Sequence, residues 1–308
     1  MMYDDTEVLQ AGCQNTILQR LISAAPESAL ALHLQGRMKC EEVKEDAAGT
    51  LCCLRKHSMK SVVVATMRLV VPPPTSVDDF YWSRVAVSPV ASAELCQTTR
   101  YQKGHQWISA RRVRITASEA HAWYTYEGEA WQGKVERHLM SRFAGTAATR
   151  YGQDNETAAL LAYEKQQGER VMRCGLVVPP GAAWLGCSPD GVVCDEGGMP
   201  IKLLEIKCPL MGKEHTSLEM AVTPPPFLQA SGENVELRRK NRYFSQVQLS
   251  MAILNVNACD LAVYSKVDDS VLVVRVPRDR VYGRNLIAKL HEVYFKHILP
   301  QLKGGLAR

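Results

Sequence analysis

The stretch SPDGVVCDEGGMPIKLLEIKCP, residues 188–209, decides the fold. Gly197-Gly198 at its centre is a strong hairpin-turn signal because glycine adopts positive φ without a steric penalty, and strand-like runs lie on either side. Pairing that is symmetric about the two glycines places Asp190 opposite Glu205, with Cβ atoms roughly 5 Å apart. The sequence therefore predicts a β-hairpin on which two carboxylates meet across the strands.

This pair of carboxylates predicts a cation site. Alternation along the second strand puts Glu205 and Lys207 on the face that also carries Leu203. Opposed like charges destabilise a hairpin, and partly buried carboxylates are costly unless they bind a cation. A hard divalent ion such as Mg²⁺ suits two carboxylates and keeps several waters. The alternative is a solvated hairpin end with an incidental ion pair, and a one-residue bulge would change the register.

Length and charge narrow the class of protein. The 308 residues suffice for one large domain or two smaller ones. The net charge of +5 is unevenly placed: residues 1–95 hold 9 basic and 11 acidic side chains, and residues 96–308 hold 28 and 21. A basic domain attracts polyanions, so the second region is the one in which we expect a nucleic-acid partner.

Cysteine usage and the N-terminus predict an intracellular, reduced chain, in either nucleus or cytoplasm. The ten cysteines have irregular spacing and form no CxxC, and the first residues lack a basic segment followed by an apolar one. The longest apolar stretch, Val62–Val71, is interrupted by Thr66 and Arg68. It is far shorter than the roughly 20 residues that a membrane span needs, so we expect no membrane partner.

The chain divides into two predicted regions. A helix is expected over Thr16–Ala25 and a strand over Ser61–Val71, which runs into the three prolines at 72–74. Such prolines are typical of a linker, with a boundary within 72–95. We therefore predict an N-terminal region of unknown function, 1–95, and a second domain, 96–308.

A cluster of arginines predicts an anion site. The pattern is helical from Ala93 through the arginines at 111 and 112, and Thr116 and Glu119 have the spacing of a capping box that would begin a further helix. Arg111, Arg112 and Arg114 stand just before it. Arginines beside a helix N-terminus suit phosphate. The alternative is an ordinary capped helix with solvated arginines.

Two more polar side chains lie on apolar helix faces. A helix over 150–168, with Asp154 and Asn155 as possible caps, would place Glu156 in its first turn and on its apolar stripe. Compensation of the helix dipole is the alternative reason for that position. A later helix over 243–254 puts Gln246 in its apolar stripe, where a glutamine can also complete a core network.

Strands expected at Asp260–Tyr264 and Val271–Val276 precede a terminal helix from about Asn285 to Leu302. Helices thus flank a mostly antiparallel set of strands, which indicates an α/β or α+β fold.

Four signals occur in one order: RRVRITAS at 111–118, Glu156, SPDG followed by EIK, and YFSQVQ at 243–248. Together they resemble the lambda-type exonuclease family, also called YqaJ-like viral recombinases, within the PD-(D/E)xK nuclease superfamily. The resemblance covers roughly residues 105–300. It implies a restriction-endonuclease-like core, in which helices flank a central mixed sheet, with an N-terminal extension.

The resemblance also implies roles for individual residues. Asp190, Glu205 and the Ile206 carbonyl would bind metal, and Lys207 would position or activate the attacking water. Glu156 would act through a metal-bound water, and Gln246 would contact the metal-water network or the scissile phosphate.

DNA phosphate would be held by residues of the arginine motif: Arg111 and Ser118, together with Arg112 and Arg114. The activity implied is a Mg²⁺-dependent exonuclease, with Mn²⁺ as an alternative ion, which digests linear duplex DNA from its 5′ end in recombination or repair. A homotrimer and a single-strand annealing partner are implied as well. The alternatives are a structure-specific endonuclease on the same core and a non-catalytic module that binds DNA ends.

Overall fold

The computed structural model describes residues 67–77, 79–140, 146–196 and 198–306. The predicted helix at 16–25 and most of the predicted strand at 61–71 lie outside these residues, and the part of that strand that is described has no strand conformation. Among the described residues, no helix combines the length and the apolar character needed to cross a membrane.

Helices surround a central sheet. In chain order they are α1 Asp79–Arg84, α2 Pro89–Thr98, α3 His105–Arg112, α4 Ala120–Tyr124, α5 Trp131–Met140, α6 Ala147–Gln167, α7 Ser217–Val222, α8 Arg242–Leu254, α9 Arg280–Val293 and α10 Leu299–Leu306. A π-helical turn, Tyr294–Ile298, joins the last two.

Nine strands are described. They are β1 Ile115–Thr116, β2 Val171–Met172, β3 Leu185–Gly186, β4 Gly191–Cys194, β5 Pro200–Lys207, β6 Leu228–Ser231, β7 Asn234–Leu237, β8 Ala258–Ser265 and β9 Ser270–Pro277. The main sheet has the order β2-β4-β5-β8-β9, in which only β5 and β8 run parallel. The fold is therefore a mixed sheet with flanking helices, which confirms the predicted fold class.

The hairpin of β4 and β5 has the predicted register. Gly191 pairs with Leu204 and Val193 pairs with Lys202, which is the pairing that symmetry about the glycines requires. An irregularity follows Val193 on the turn side, and Gly198 has a φ of 83°. Because the irregularity lies between the turn and the paired segment, the register at the far end of the hairpin is unchanged.

Strand β5 is covered on both faces. Leu203 belongs to the main core, which the helices α8 and α9 share. Leu204 and Ile206, on the opposite face, pack with Ala159 and Tyr163 of α6. Burial on both faces makes a one-residue slip of this strand costly, because every side chain would change face.

A buried ionic cluster fixes the start of β5 to its neighbours. Lys202 Nζ lies 2.7 Å from both Asp260 Oδ2 and Glu169 Oε2. Tyr163 donates its hydroxyl to the same Asp260 oxygen at 2.7 Å, and Arg275 donates to both oxygens of this carboxylate. Burial alone would raise the pKa of Asp260, but the hydrogen bonds from these three side chains lower it.

One sequence-based expectation needs correction at the N-terminal side, and the predicted domain limit stays a prediction. The helical pattern that begins at Ala93 is not continuous, because a turn with positive φ at Gln102 and Gly104 separates α2 from α3. A domain limit at residue 96 would divide α2. Tyr81 and Val85, upstream of it, are buried in the main core, so the folded unit includes residues before 96.

We expect Asp260→Ala to lower the free energy of unfolding by about 3–5 kcal/mol, because it leaves Lys202 buried with less compensation. Since the folded-state pKa of Asp260 is lowered, its contribution is present above the unfolded-state pKa and lost on acidification through the folded value. The difference between wild type and variant should therefore shrink below about pH 4. Urea denaturation at several pH values measures both effects.

Lys289→Ala is the matched control, since Lys289 forms a more exposed ion pair with Glu292. Loss of such a pair costs at most about 1 kcal/mol. Equal stability of the Asp260 and Lys289 variants at neutral pH would contradict a structural role for the buried cluster.

Candidate active site

A pocket of about 550 Å³ opens where β5 ends, beside the N-terminal half of α8. Side chains that are distant in sequence share its walls. They include eight of the ten predicted site residues: Arg111, Ser118, Glu156, Asp190, Glu205, Ile206, Lys207 and Gln246. The pocket therefore brings together most of the residues that the motifs single out.

Asp190 and Glu205 lie at the far end of the hairpin. Asp190 directly precedes β4, and its Oδ2 accepts a hydrogen bond of 2.6 Å from the backbone N–H of Ile206. Continuing the register of β4 and β5 places it opposite Glu205, which is 3% exposed. Burial and the Glu205 charge raise the pKa of Asp190 well above its ordinary value, and Glu156 raises it further, whereas Lys207 lowers it.

Lys207 and Gln246 converge on one oxygen of Glu205. Lys207 Nζ and Gln246 Nε2 each lie 2.6 Å from Glu205 Oε1. Burial would lower the pKa of Lys207, but the Glu205 and Asp190 charges raise it above its ordinary value. Lys207 is thus an ammonium ion at neutral pH, so it can stabilise negative charge but does not remove a proton from water in this state.

Glu156 reaches the pocket from the middle of α6. Thr146 caps this helix, so Glu156 is its tenth residue and not part of its first turn. Asp154 and Asn155 are helix interior residues rather than caps, and the Asn155 amide donates to the Tyr151 carbonyl at 2.8 Å. Compensation of the helix dipole therefore does not explain the position of Glu156, since the dipole effect is confined to the first turn.

Arg111 lines the same pocket beside two hydroxyl groups. Its Nη2 lies 3.1 Å from Ser118 Oγ and 3.4 Å from Thr116 Oγ1, and its guanidinium carbon lies 4.2 Å from the Trp107 ring centroid. Burial lowers the pKa of Arg111, and the Glu119 charge raises it. The group is a cation held by hydroxyls and an aromatic face, which is an arrangement suited to an anion.

The predicted capping box is wrong. Thr116 lies in strand β1, and its hydroxyl donates to Glu119 Oε2 at 2.7 Å. The helix that follows begins only at Ala120 and has five residues. Anion binding beside Arg111 therefore depends on the guanidinium and the hydroxyls, not on a helix N-terminus.

Arg112 and Arg114 are not part of this pocket. Arg112 is exposed at the end of α3 and borders a different cavity. Arg114 is 5% exposed and donates to the backbone carbonyls of Ala110 and Val85. The structure thus brings Arg111 and Ser118 to the site but gives Arg114 a role in joining α1 to α3.

Trp107 and Tyr243 line the pocket although no role was predicted for either of them, and Tyr243 is the first residue of the YFSQVQ motif. Trp107 donates its Nε1–H to Ser188 Oγ at 3.1 Å and packs on Arg111. The Tyr243 ring centroid lies 4.3 Å from Lys207 Nζ. Their helical spacing, four residues before Arg111 and three before Gln246, is a signal that could have identified both.

The acidic groups fit a hard divalent ion. Within the described ranges, no three His, Cys, Asp or Glu side chains are grouped closely enough to hold a metal. Glu156 therefore lines the pocket but does not lie close enough to Asp190 and Glu205 for all three carboxylates to bind one ion directly. The two carboxylates of Asp190 and Glu205 remain, and Mg²⁺ usually takes only one or two carboxylates and keeps waters. Burial is the main cause of the raised pKa of Asp190 and the Glu205 charge adds to it, so a bound cation would favour the ionised carboxylate against both effects.

Residues 106–257 match the family model of the YqaJ-like viral recombinase domain. This segment contains all four ordered motifs, so the match confirms the family resemblance that the motifs predict. Among curated proteins, none matches the chain.

Several solved structures are similar to this chain. An alkaline exonuclease, LHK-Exo, from Laribacter hongkongensis is 26% identical, with 66% of this chain and 99% of that chain covered and a TM-score of 0.47. A phage-related exonuclease from Haemophilus somnus 129PT is 12% identical, with coverages of 63% and 96% and a TM-score of 0.43. The shutoff and exonuclease protein of Kaposi's sarcoma-associated herpesvirus is 12% identical, with coverages of 79% and 84% and a TM-score of 0.43.

We expect Asp190→Asn to stabilise the protein in EDTA, because it removes a carboxylate that Glu205 and Glu156 repel while an amide oxygen can still accept the Ile206 hydrogen bond. A gain of about 1 kcal/mol would raise the melting temperature by roughly 2–4 °C for a domain of this size. Thermal unfolding followed by circular dichroism measures the shift.

Asp268→Asn is the control. Asp268 is exposed and accepts hydrogen bonds from the backbone N–H and the hydroxyl of Ser217, at 3.2 and 3.1 Å. Burial would raise its pKa, but hydrogen bonds from Ser265, Ser270 and Ser217 lower it, so removing its charge should not stabilise the fold. A lower melting temperature for Asp190→Asn than for wild type would contradict repulsion at the site.

Proposed function

We propose that this protein is a divalent-metal-dependent DNA exonuclease that hydrolyses phosphodiester bonds of linear duplex DNA from the 5′ end, in recombination or repair. One observation carries the proposal: Asp190, Glu205 and Lys207, which form the PD-(D/E)xK motif, line one pocket together with Gln246 and Glu156. The match of residues 106–257 to the YqaJ-like viral recombinase domain supports it.

Phosphodiester hydrolysis requires an activated water and neutralisation of the charge that develops on phosphorus oxygens. A divalent ion held by Asp190, Glu205 and the Ile206 carbonyl would supply both. The chain's own residues contribute orientation. The Ile206 N–H fixes the Asp190 carboxylate, and Lys207 and Gln246 fix that of Glu205, so the acidic oxygens are arranged before the substrate binds.

Lys207 adds a fixed positive charge. Its ammonium is held between Glu205 and the face of Tyr243, so it stays beside the acidic pair. There it favours a hydroxide-like nucleophile and stabilises the negative transition state without transferring a proton. Without a bound cation, the charges of Glu205 and Asp190 raise its pKa, so the lysine is charged before the ion binds.

Arg111 and Ser118 would hold the terminal phosphate. A phosphate monoester carries a charge of about −1.5 to −2 at neutral pH and offers three acceptor oxygens, whereas an internal diester carries less charge. A half-buried guanidinium that already packs on Trp107 is prepared for such a group. The pocket therefore favours ends over internal positions, and contacts confined to phosphates give no base specificity.

We expect Glu205→Gln and Lys207→Met each to reduce cleavage of end-labelled linear duplex by at least about 100-fold, because each removes charge from the reacting centre. EDTA should abolish wild-type cleavage, and Mg²⁺ or Mn²⁺ should restore it. Quantification of released nucleotides gives the rates, with Asp268→Asn as a variant that should keep the wild-type rate.

Covalently closed circular DNA distinguishes the related activities. An exonuclease leaves it intact, and cutting of the circle would indicate an endonuclease instead. Single-turnover assays with Mg²⁺ test the remaining alternative. If the protein binds DNA ends but forms no product, it is a non-catalytic end-binding module and the proposal is wrong.

We expect Arg111→Ala to remove the preference for 5′-phosphorylated over 5′-hydroxyl ends. Loss of a charge-assisted hydrogen bond costs about 1.5–3 kcal/mol, which corresponds to a roughly 10- to 150-fold lower kcat/KM on the phosphorylated substrate. Arg112→Ala is the matched control, since this neighbouring arginine is exposed outside the pocket. Equal effects of the two substitutions would contradict a specific phosphate site at Arg111.

A further inference from the structure

A second pocket adjoins the candidate active site. It has a volume of about 320 Å³, and Ser118 and Arg242 line both pockets. Its other walls are built largely by aromatic and basic side chains of the segment from α4 to α5, namely His121, Trp123, Lys134 and His138. A ligand that extends beyond the active site past Arg242 therefore enters this pocket directly.

Lys134 is the main charge in the second pocket. Its ammonium lies 4.2 Å from the Tyr126 ring centroid and 5.2 Å from that of Trp123. In the described ranges Lys134 forms no ion pair with a carboxylate. Burial and the neighbouring Arg137 lower its pKa. Aromatic faces hold the ammonium in place without neutralising it, so its charge is available to an anion.

Arg242 connects the two pockets. It is exposed, its Nη2 lies 3.2 Å from the Tyr243 hydroxyl, and its guanidinium carbon lies 5.0 Å from the Tyr243 ring centroid. It also makes no ion pair with a carboxylate in the part of the chain that is described. Two cations without acidic partners thus follow one another away from the catalytic acids.

The remaining polar groups leave the second pocket positive. Its carboxylate, Glu119, accepts the Thr116 hydroxyl at 2.7 Å and lies 3.8 Å from His138 Nδ1. Burial and Arg242 lower the pKa of His121, so this ring is neutral at neutral pH. Trp123 is 2% exposed and is therefore closed to stacking by a nucleobase. The chemistry of the pocket fits a phosphate group and not a base.

We propose that the second pocket binds backbone phosphates of the DNA substrate, one or more nucleotides away from the phosphate in the active site. This inference rests on the proposed nuclease function and extends it. It assigns Lys134 and Arg242 to a phosphate-binding surface that a polynucleotide reaches and a mononucleotide in the active site does not. Lys134 contributes affinity for long substrates and has no contact with the reacting phosphate.

The test compares Lys134→Ala with wild type on two substrates. The first is a fluorescent duplex, bound in EDTA so that affinity is measured without cleavage. The second is the p-nitrophenyl ester of thymidine 5′-monophosphate, a diester small enough to occupy the active site alone. We expect the Kd for duplex to rise about 10-fold and the slope of log Kd against log salt to fall by about 1, since one phosphate contact is lost.

Hydrolysis of the small diester by Lys134→Ala should stay within about 2-fold of wild type, and Lys134→Arg should restore most of the duplex affinity. Lys266→Ala, which changes an exposed lysine outside both pockets, should behave like wild type on both substrates.

Two results would overturn the assignment of this pocket and leave the nuclease proposal intact. In the first, Lys134→Ala binds duplex with wild-type affinity. In the second, the substitution lowers duplex affinity and hydrolysis of the small diester by the same factor. A wild-type protein that neither binds duplex nor hydrolyses either substrate would instead overturn the proposed function itself.

Discussion

The register of β4 against β5 is the constraint on which the candidate site depends. It places Asp190 and Glu205 next to each other at the end of the hairpin, and the Ile206 N–H holds the Asp190 carboxylate there at 2.6 Å. Two carboxylates would separate if the strands were free to move. They stay together because both faces of β5 are buried, so the apolar packing at Leu203 and Leu204 opposes the repulsion.

Strand β5 carries two ionic groups that have different balances of charge. At its start, Lys202 is matched by Asp260 and Glu169, and the hydrogen bonds around Asp260 are complete enough to lower its pKa. At its end, Lys207 faces two acids, and the pKa of Asp190 is raised. The first group satisfies itself and stabilises the fold. The second contains a buried carboxyl with a strongly raised pKa, and such perturbed groups cluster at functional sites.

The parts of the site that depend on short sequence patterns could be predicted from the sequence. The paired glycines and the strand alternation were enough to bring Asp190 opposite Glu205, and the helical stripe was enough to turn Gln246 toward them. Long-range contacts decided the remainder. Arg114 looks like its neighbours in sequence, but carbonyls of Val85 and Ala110 capture it. Likewise, Thr116 has the spacing of a helix cap but pairs in a strand with β3, which begins at residue 185.

The parallel pairing of β5 with β8 has a consequence for the order of folding. The hairpins β4-β5 and β8-β9 each join segments that are close in sequence, whereas β5 and β8 are separated by about 50 residues that include α8. Closing such a long loop costs entropy before its contacts are gained, so the two hairpins can form before they associate. Gln246 travels with the intervening helix and therefore reaches Glu205 only when the halves of the sheet join. We therefore expect the acidic pair to form with the β4-β5 hairpin and the complete pocket to form only when the two halves of the sheet associate.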